Sequence, residues 1–226
     1  MPRLTPRRLL KALRNRLWLR RELRIFVCSA ERIRQQPNPA RLSRDRFEDL
    51  DRCTAWSYGN MSREEYLAHV DERRRSGAHH LYSLVENGVL VHYGWLTSRQ
   101  ERAPDAAIGL AFVPPPDSAG LWDYYTHPSA RGRGLYADSL RQCMHDAVEI
   151  DGARQVFIYV YGDNAVSERA IRRAGFVCHG SLVIERRLFR TKRYATFADR
   201  PFEVRLLQDD RPAPAVRVTP ATPARV

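Results

Sequence analysis

The sequence predicts an α/β (α+β) domain built on a mixed, mostly antiparallel sheet. Three observations carry that expectation. Residues Leu121 to Phe176 read strand, glycine turn, helix, strand, helix, a βαβα unit. Upstream, two apolar runs flank Asn87-Gly88, a strong hairpin signal because both residues tolerate positive φ. Apolar residues make up 43% of the 226, enough for one sizeable core with extensions.

Taken in order, residues 6–19 predict a basic amphipathic helix, with Leu9, Leu10, Leu13 and Leu17 near one face. Leu23–Cys28 is a strand, and Gln35–Arg41, with two prolines, a loop. Ser43 caps a helix to about Trp56, with Phe47, Leu50 and Cys53 inward. Ser62-Arg63-Glu64-Glu65 has capping-box spacing and starts a second helix that ends before Gly77, with Tyr66, Leu67 and Val70 inward.

His80–Val85 and Val89–Leu96 form the hairpin, Ser98–Asp105 is a polar loop, and Ala107–Val113 is a strand ended by Pro114-Pro115-Pro116. In the central unit Leu121–Thr126 is a strand, and a helix runs to about Ile150 with Tyr136, Leu140, Cys143, Met144 and Ala147 at helical spacing. Val156–Tyr161 is the next strand. Val177–Phe189 reads as one long strand or a hairpin, and Arg190–Leu206 holds strand-like pieces without a clear place. The expected division is a basic extension, 1–21, a domain, 22–207, and a disordered Pro/Ala/Arg-rich tail, 208–226.

The net charge is +12. Residues 1–24 hold nine Lys/Arg and one acid, Glu22, so +8 sits there and +4 on the other 202 residues. A basic amphipathic helix suits packing on its own domain, peripheral contact with an anionic membrane, or nucleic acid, with nucleic acid disfavoured. No apolar run approaches the ~20 residues of a membrane span. Cys28, Cys53, Cys143 and Cys178 are scattered without a C-x-x-C pair, which favours reduced thiols, a cytoplasmic setting, and no metal site.

The chemistry concentrates at Arg131-Gly132-Arg133-Gly134-Leu135-Tyr136. A glycine turn that starts a helix leaves backbone N–H groups pointing outward, and the helix dipole adds to their pull on an anion. Arg131 and Arg133 add positive charge for a phosphorylated ligand. The turn is neither a P-loop, since no Gly-Lys-Ser/Thr follows, nor a dinucleotide fingerprint.

A hydrophobic strand, Pro128, then Arg131-x-x-Gly134 resembles the acyl-CoA pyrophosphate loop of the GNAT N-acetyltransferase superfamily. Asn164, Ser167 and Gly175-Phe176 match that superfamily's downstream Asn-x-x-Ala/Ser then Gly-Phe. The resemblance covers roughly Leu23 to Phe189. It departs in three places. Tyr136 stands where Gly or Ala is usual. Ile171 stands where many members carry a tyrosine that protonates the leaving thiolate. Ahead of the loop there is one strand more than usual.

The resemblance implies a twisted sheet with helices on both faces. It also implies a V-shaped splay between Leu121–Thr126 and Val156–Tyr161, the family's fourth and fifth strands. It implies acetyl-CoA as co-substrate, with the pantetheine arm along Tyr124–Thr126 and the pyrophosphate on Arg131, Gly132, Arg133, Gly134, Leu135 and Tyr136. Asn164 and Ser167 would touch the cofactor. An amine acceptor would attack the thioester directly. Asp123, Tyr125 and His127 share one strand face by period 2, and Asp123 and His127 are the candidate bases. A small amine, such as an amino sugar or amino-acid derivative, a protein or peptide amine, and an inactive acyl-CoA-binding or regulatory module anchored by residues 1–24 all remain open. So does assembly as monomer or homodimer.

Overall fold

The computed structural model describes residues 18–54, 61–188, 190–199, 202–208 and 216–218. The strands are β1 (Trp18–Ser29), β2 (Ser43–Arg44), β3 (His79–Glu86), β4 (Val89–Thr97), β5 (Ala103–Asp105), β6 (Leu110–Val113), β7 (Ser118–Thr126), β8 (Gln155–Tyr161), β9 (Val177–Arg187), β10 (Arg190–Phe197), β11 (Glu203–Leu206) and β12 (Val216–Val218). The helices are α1 (Ala30–Arg34), α2 (Arg63–Ser76), α3 (Leu135–Glu149) and α4 (Ala165–Arg173), with 3₁₀ turns at Phe47–Arg52 and Pro128–Ala130.

Nine strands form one sheet in the order β12-β10-β9-β1-β8-β7-β4-β3-β2, and β11-β6-β5 form a second. Among the described residues, only β7–β8 and β10–β12 pair in parallel. Helices cover both faces of the large sheet. On one face α1, α3 and α4 bury Phe26, Ile33, Leu140, Met144, Ile158 and Ile171. On the other, the first 3₁₀ turn and α2 bury Leu50, Tyr66, Leu81 and Trp95. Beside them the small sheet packs Phe112 and Val204 onto Leu23, Ile25, Phe157 and Phe197. Each fully buried Leu, Ile or Phe contributes about 1.5–3 kcal/mol, so β7 and β8 run through a firmly held platform.

Several expectations are corrected. Residues 43–56 do not form an α-helix. Ser43–Arg44 pairs with β3, Asp45 takes φ +60°, and a 3₁₀ turn follows. The inward residues 47, 50 and 53 are three apart, which is the 3₁₀ period. Residues 6–17 of the predicted N-terminal helix lie outside the described residues, but Trp18 and Leu19 belong to β1, which starts earlier than expected. Ser29 caps a short helix, α1, that was not anticipated. The polar loop 98–105 ends in β5, and the strand placed at Ala107–Val113 begins at Leu110 after a turn through Gly109, φ +74°. β5 and β6 belong to the second sheet, which accounts for the surplus strand. Of the stretch read as a long strand or a hairpin, Val177–Arg187 is one strand, and it pairs with Arg190–Phe197 in the β9–β10 hairpin. Val216–Val218 pairs with β10 inside the stretch expected to lack structure.

Candidate active site

β7 pairs with β8 only from Ser118↔Gln155 to Leu121↔Ile158. Beyond Leu121, β7 stays paired with β4, and β8 with β1. The two central strands therefore part, and a V-shaped gap opens between Trp122–Thr126 and Tyr159–Tyr161. A cleft of about 670 Å³ lies there and reaches the N-terminus of α3.

The wall of the cleft is irregular for a local reason. Tyr93 faces Tyr125 and Trp95 faces Trp122, so Asp123 and Tyr124 together oppose Gly94 alone. This is a β-bulge, and Asp123 takes φ +54° within it. A Cβ on Gly94 would collide with the Tyr124 ring. The extra residue turns Trp122, Asp123 and Tyr125 toward α2, while Tyr124 packs against α3.

The Asp123 side chain is 4% exposed. The Tyr66 hydroxyl donates to its Oδ2 at 2.7 Å, and Arg73 Nη1 lies 3.4 Å from the same oxygen. Trp95 Nε1 donates to the Tyr66 oxygen at 3.0 Å. The Arg73 guanidinium also sits 4.2 Å over the Trp122 ring. Burial pushes the Asp123 carboxyl up to about 6, against the opposing pull of the Tyr66 hydrogen bond and the Arg73 charge. Among the described residues Oδ1 accepts no hydrogen bond.

Tyr125 stacks on Tyr93 at 5.5 Å. Its hydroxyl is buried without a partner among the described residues, and burial raises its pKa, so it remains a proton donor. His127 is arranged differently. Its Nδ1 lies 2.7 Å from Ser129 Oγ and accepts the Ser129 N–H at 3.3 Å, while Nε2 is 3.5 Å from Thr54 Oγ1. His127 thus caps the turn at Pro128–Ala130.

Gly132 and Gly134 both hold φ +78°, and a Cβ on either would meet no atom within 4 Å. Gly134 is the N-cap of α3 and has no side-chain cap, so the first amides of the helix are left for an outside acceptor. Leu135 is buried with Val91 and Ala130, which anchors the helix start. The Tyr136 ring is tucked 5.0 Å from that of Tyr124, so the bulky residue of this turn packs inward rather than over the amides. Arg131 is exposed, with its Nε donating to the Thr126 carbonyl at 3.3 Å. Arg133 is already paired, donating two 2.7 Å bonds to Glu86 on the β3–β4 hairpin.

Asn164 caps α4 by accepting the Ser167 N–H at 3.1 Å, which gives a local reason for that spacing. Both residues line the cleft. Ile171 is buried in the core beneath α4, and α4 presents Ser167, Ala170 and Arg173 to the cleft instead.

Three site residues had no functional signal in the sequence. Tyr66 and Arg73 reach Asp123 from α2, and Tyr66 read only as an inward helix position. His92 lies fully buried with Nδ1 2.8 Å from Thr126 Oγ1, and burial alone lowers its pKa to about 3. The arrangement thus combines a helix start without a side-chain cap, an open strand edge and one buried carboxylate with a free oxygen.

The chain is similar to known proteins in sequence and in fold. The family described as Acetyltransferase (GNAT) domain matches residues 41–177. A GNAT-family acetyltransferase from Colwellia psychrerythraea is 16% identical, with TM-score 0.52, over 74% of this chain and 56% of its own. A GCN5-related N-acetyltransferase from Sphaerobacter thermophilus is 16% identical, with TM-score 0.49, over 84% and 57%. A GNAT-family protein from Novosphingobium aromaticivorans is 14% identical, with TM-score 0.47, over 73% and 63%. The chain thus spans less than two thirds of the length of these solved chains. No curated protein matches it significantly. The family match covers more than half of the chain, and the chain belongs to the GNAT acetyltransferase family.

Proposed function

We propose that this chain is an acetyl-CoA-dependent N-acetyltransferase acting on the primary amine of a small molecule, with the V-shaped cleft holding the thioester arm. The observation that carries this reading is the continuity of the cleft from the uncapped start of α3 to Asp123. The residues present fit the co-substrate. Gly132 and Gly134 leave open space beside the helix amides for a pyrophosphate. The cleft-side backbone of Trp122–Thr126, unpaired with β8, suits an extended arm laid along it as a strand is.

Bound acyl-CoA supplies an activated acyl group. The acceptor amine forms the new C–N bond at the carbonyl carbon, the C–S bond breaks, and the electron pair leaves on sulfur. The ammonium form of an alkyl amine has a pKa near ~10, so its proton must be removed. Asp123, at about 6, is ionised at neutral pH and offers Oδ1. Asp123 is preferred to His127 because His127 is engaged in its cap. Tyr125, still protonated, returns a proton to the thiolate, directly or through water. A carboxylate only 4% exposed favours a slender amine over a folded protein surface. A thiol-release assay with acetyl-CoA and a panel of small amines tests this. Turnover that Asp123→Asn abolishes supports the reading, and turnover unchanged in that variant overturns it.

A further inference from the structure

Away from the cleft, the β9–β10 hairpin carries a sequence that the acetyltransferase reading does not use. Residues 186–193 read Arg-Arg-Leu-Phe-Arg-Thr-Lys-Arg. Arg187 pairs with Arg190 across the hairpin, and Leu188 follows Arg187 at its tip. Leu188 is 62% exposed and holds φ +53°. The neighbouring strand β1 begins here, with Trp18 opposite Arg187 and 61% exposed. Arg187, Arg190 and Lys192 are also exposed. Among the described residues no carboxylate pairs with Arg186, Arg187, Arg190 or Lys192, whereas Arg20 holds Glu22 and Glu185. Arg193 is excluded, because its Nε is bound to the Ile108 carbonyl.

We infer that this hairpin tip is a docking surface for an anionic lipid bilayer. Apolar residues at an apex ringed by unpaired cations match the bilayer interface, where a Trp and a Leu leave water while the Arg and Lys heads stay among anionic headgroups. The sequence before Trp18 holds six more cations, Arg3, Arg7, Arg8, Lys11, Arg14 and Arg16. β1 is antiparallel to β8, with Leu23 beside Tyr161. Trp18 therefore projects about 16 Å past the end of β8, the end at which β7 and β8 diverge. Docking by the tip points the mouth of the cleft toward the bilayer.

The test uses the full chain and sedimentation with phosphatidylcholine vesicles, with or without about one third phosphatidylglycerol. Each cation near the surface is worth about fivefold in partitioning, so the Arg187→Glu/Arg190→Glu variant binds anionic vesicles more than about twentyfold more weakly. Leu188→Asp weakens binding as well, and neither variant changes thermal protection by acetyl-CoA, which confirms that the fold is retained. Equal binding to neutral vesicles, full binding by both variants through residues 1–17 alone, or displacement of bound vesicles by a duplex oligonucleotide would overturn the assignment.

Discussion

The Tyr66 hydroxyl reaches from α2 across the sheet face to Asp123, 57 positions along the chain, and donates a 2.7 Å hydrogen bond to Oδ2. Arg73 approaches the same oxygen. Both stabilise the carboxylate over the carboxylic acid, and burial opposes them. Loss of either donor moves the pKa above about 6. Tyr66→Phe and Arg73→Met therefore shift the acidic limb of kcat/KM toward neutrality, with activity near pH 6.5 falling about threefold to tenfold. A pH–rate profile reads the shift, which loss of packing alone would not produce.

The bulge requires glycine at position 94, because any Cβ there meets the Tyr124 ring. Gly94→Ala overpacks the strand at a cost of about 1–3 kcal/mol and displaces Asp123. The expected outcome is a lower denaturant midpoint together with a fall in kcat that stabilising conditions do not restore.

The two arginines of the turn are not equivalent. Arg133 is held by Glu86, while Arg131 is bound only to a backbone carbonyl. Arg131→Ala raises the Kd for acetyl-CoA about tenfold, the worth of one charge-assisted hydrogen bond. Arg133→Ala changes it little. Calorimetric titration separates the two.

His92 stays neutral in the folded state down to about pH 3, whereas an unfolded histidine takes a proton near ~6.5. Between those values the unfolded chain binds the extra proton. Through this residue stability falls as pH is lowered, by about 1.4 kcal/mol per pH unit. Asp123 acts in the opposite sense. Its folded pKa is raised, so it favours the folded state increasingly as pH falls from about 6 toward ~3.8. His92→Gln keeps a partner for Thr126 and flattens the acid limb of stability, as measured by urea unfolding from pH 7 to 4.

Local signals make much of the site legible in the sequence. The glycine turn ahead of a helix, the Asn87-Gly88 hairpin and the capping box at Ser62 each depend on residues a few positions apart. What stayed hidden depends on distant partners. The period-2 reading of β7 did not foresee an extra residue at Asp123, because the bulge is set by Gly94 on another strand. Arg133 read as a phosphate ligand because Glu86 lies 47 positions away. Ile171 was noted as a missing acid, and its burial in the core explains why this position has none to offer. The spacing of 47, 50 and 53 fits the 3₁₀ period, but three inward positions at that spacing also fit one face of an α-helix.

The central claim is that the start of α3 and the β7–β8 gap hold acyl-CoA. Thermal unfolding with and without acetyl-CoA, on the native chain and on Gly134→Val, tests it most directly. Binding to the folded state alone raises the midpoint by roughly 5–10 °C at about 100-fold excess over Kd. The account predicts that rise in the native chain and its loss in Gly134→Val, where a β-branched residue must hold φ +78° and its side chain projects beside the helix amides. No rise in the native chain, or an equal rise in the variant, would contradict it.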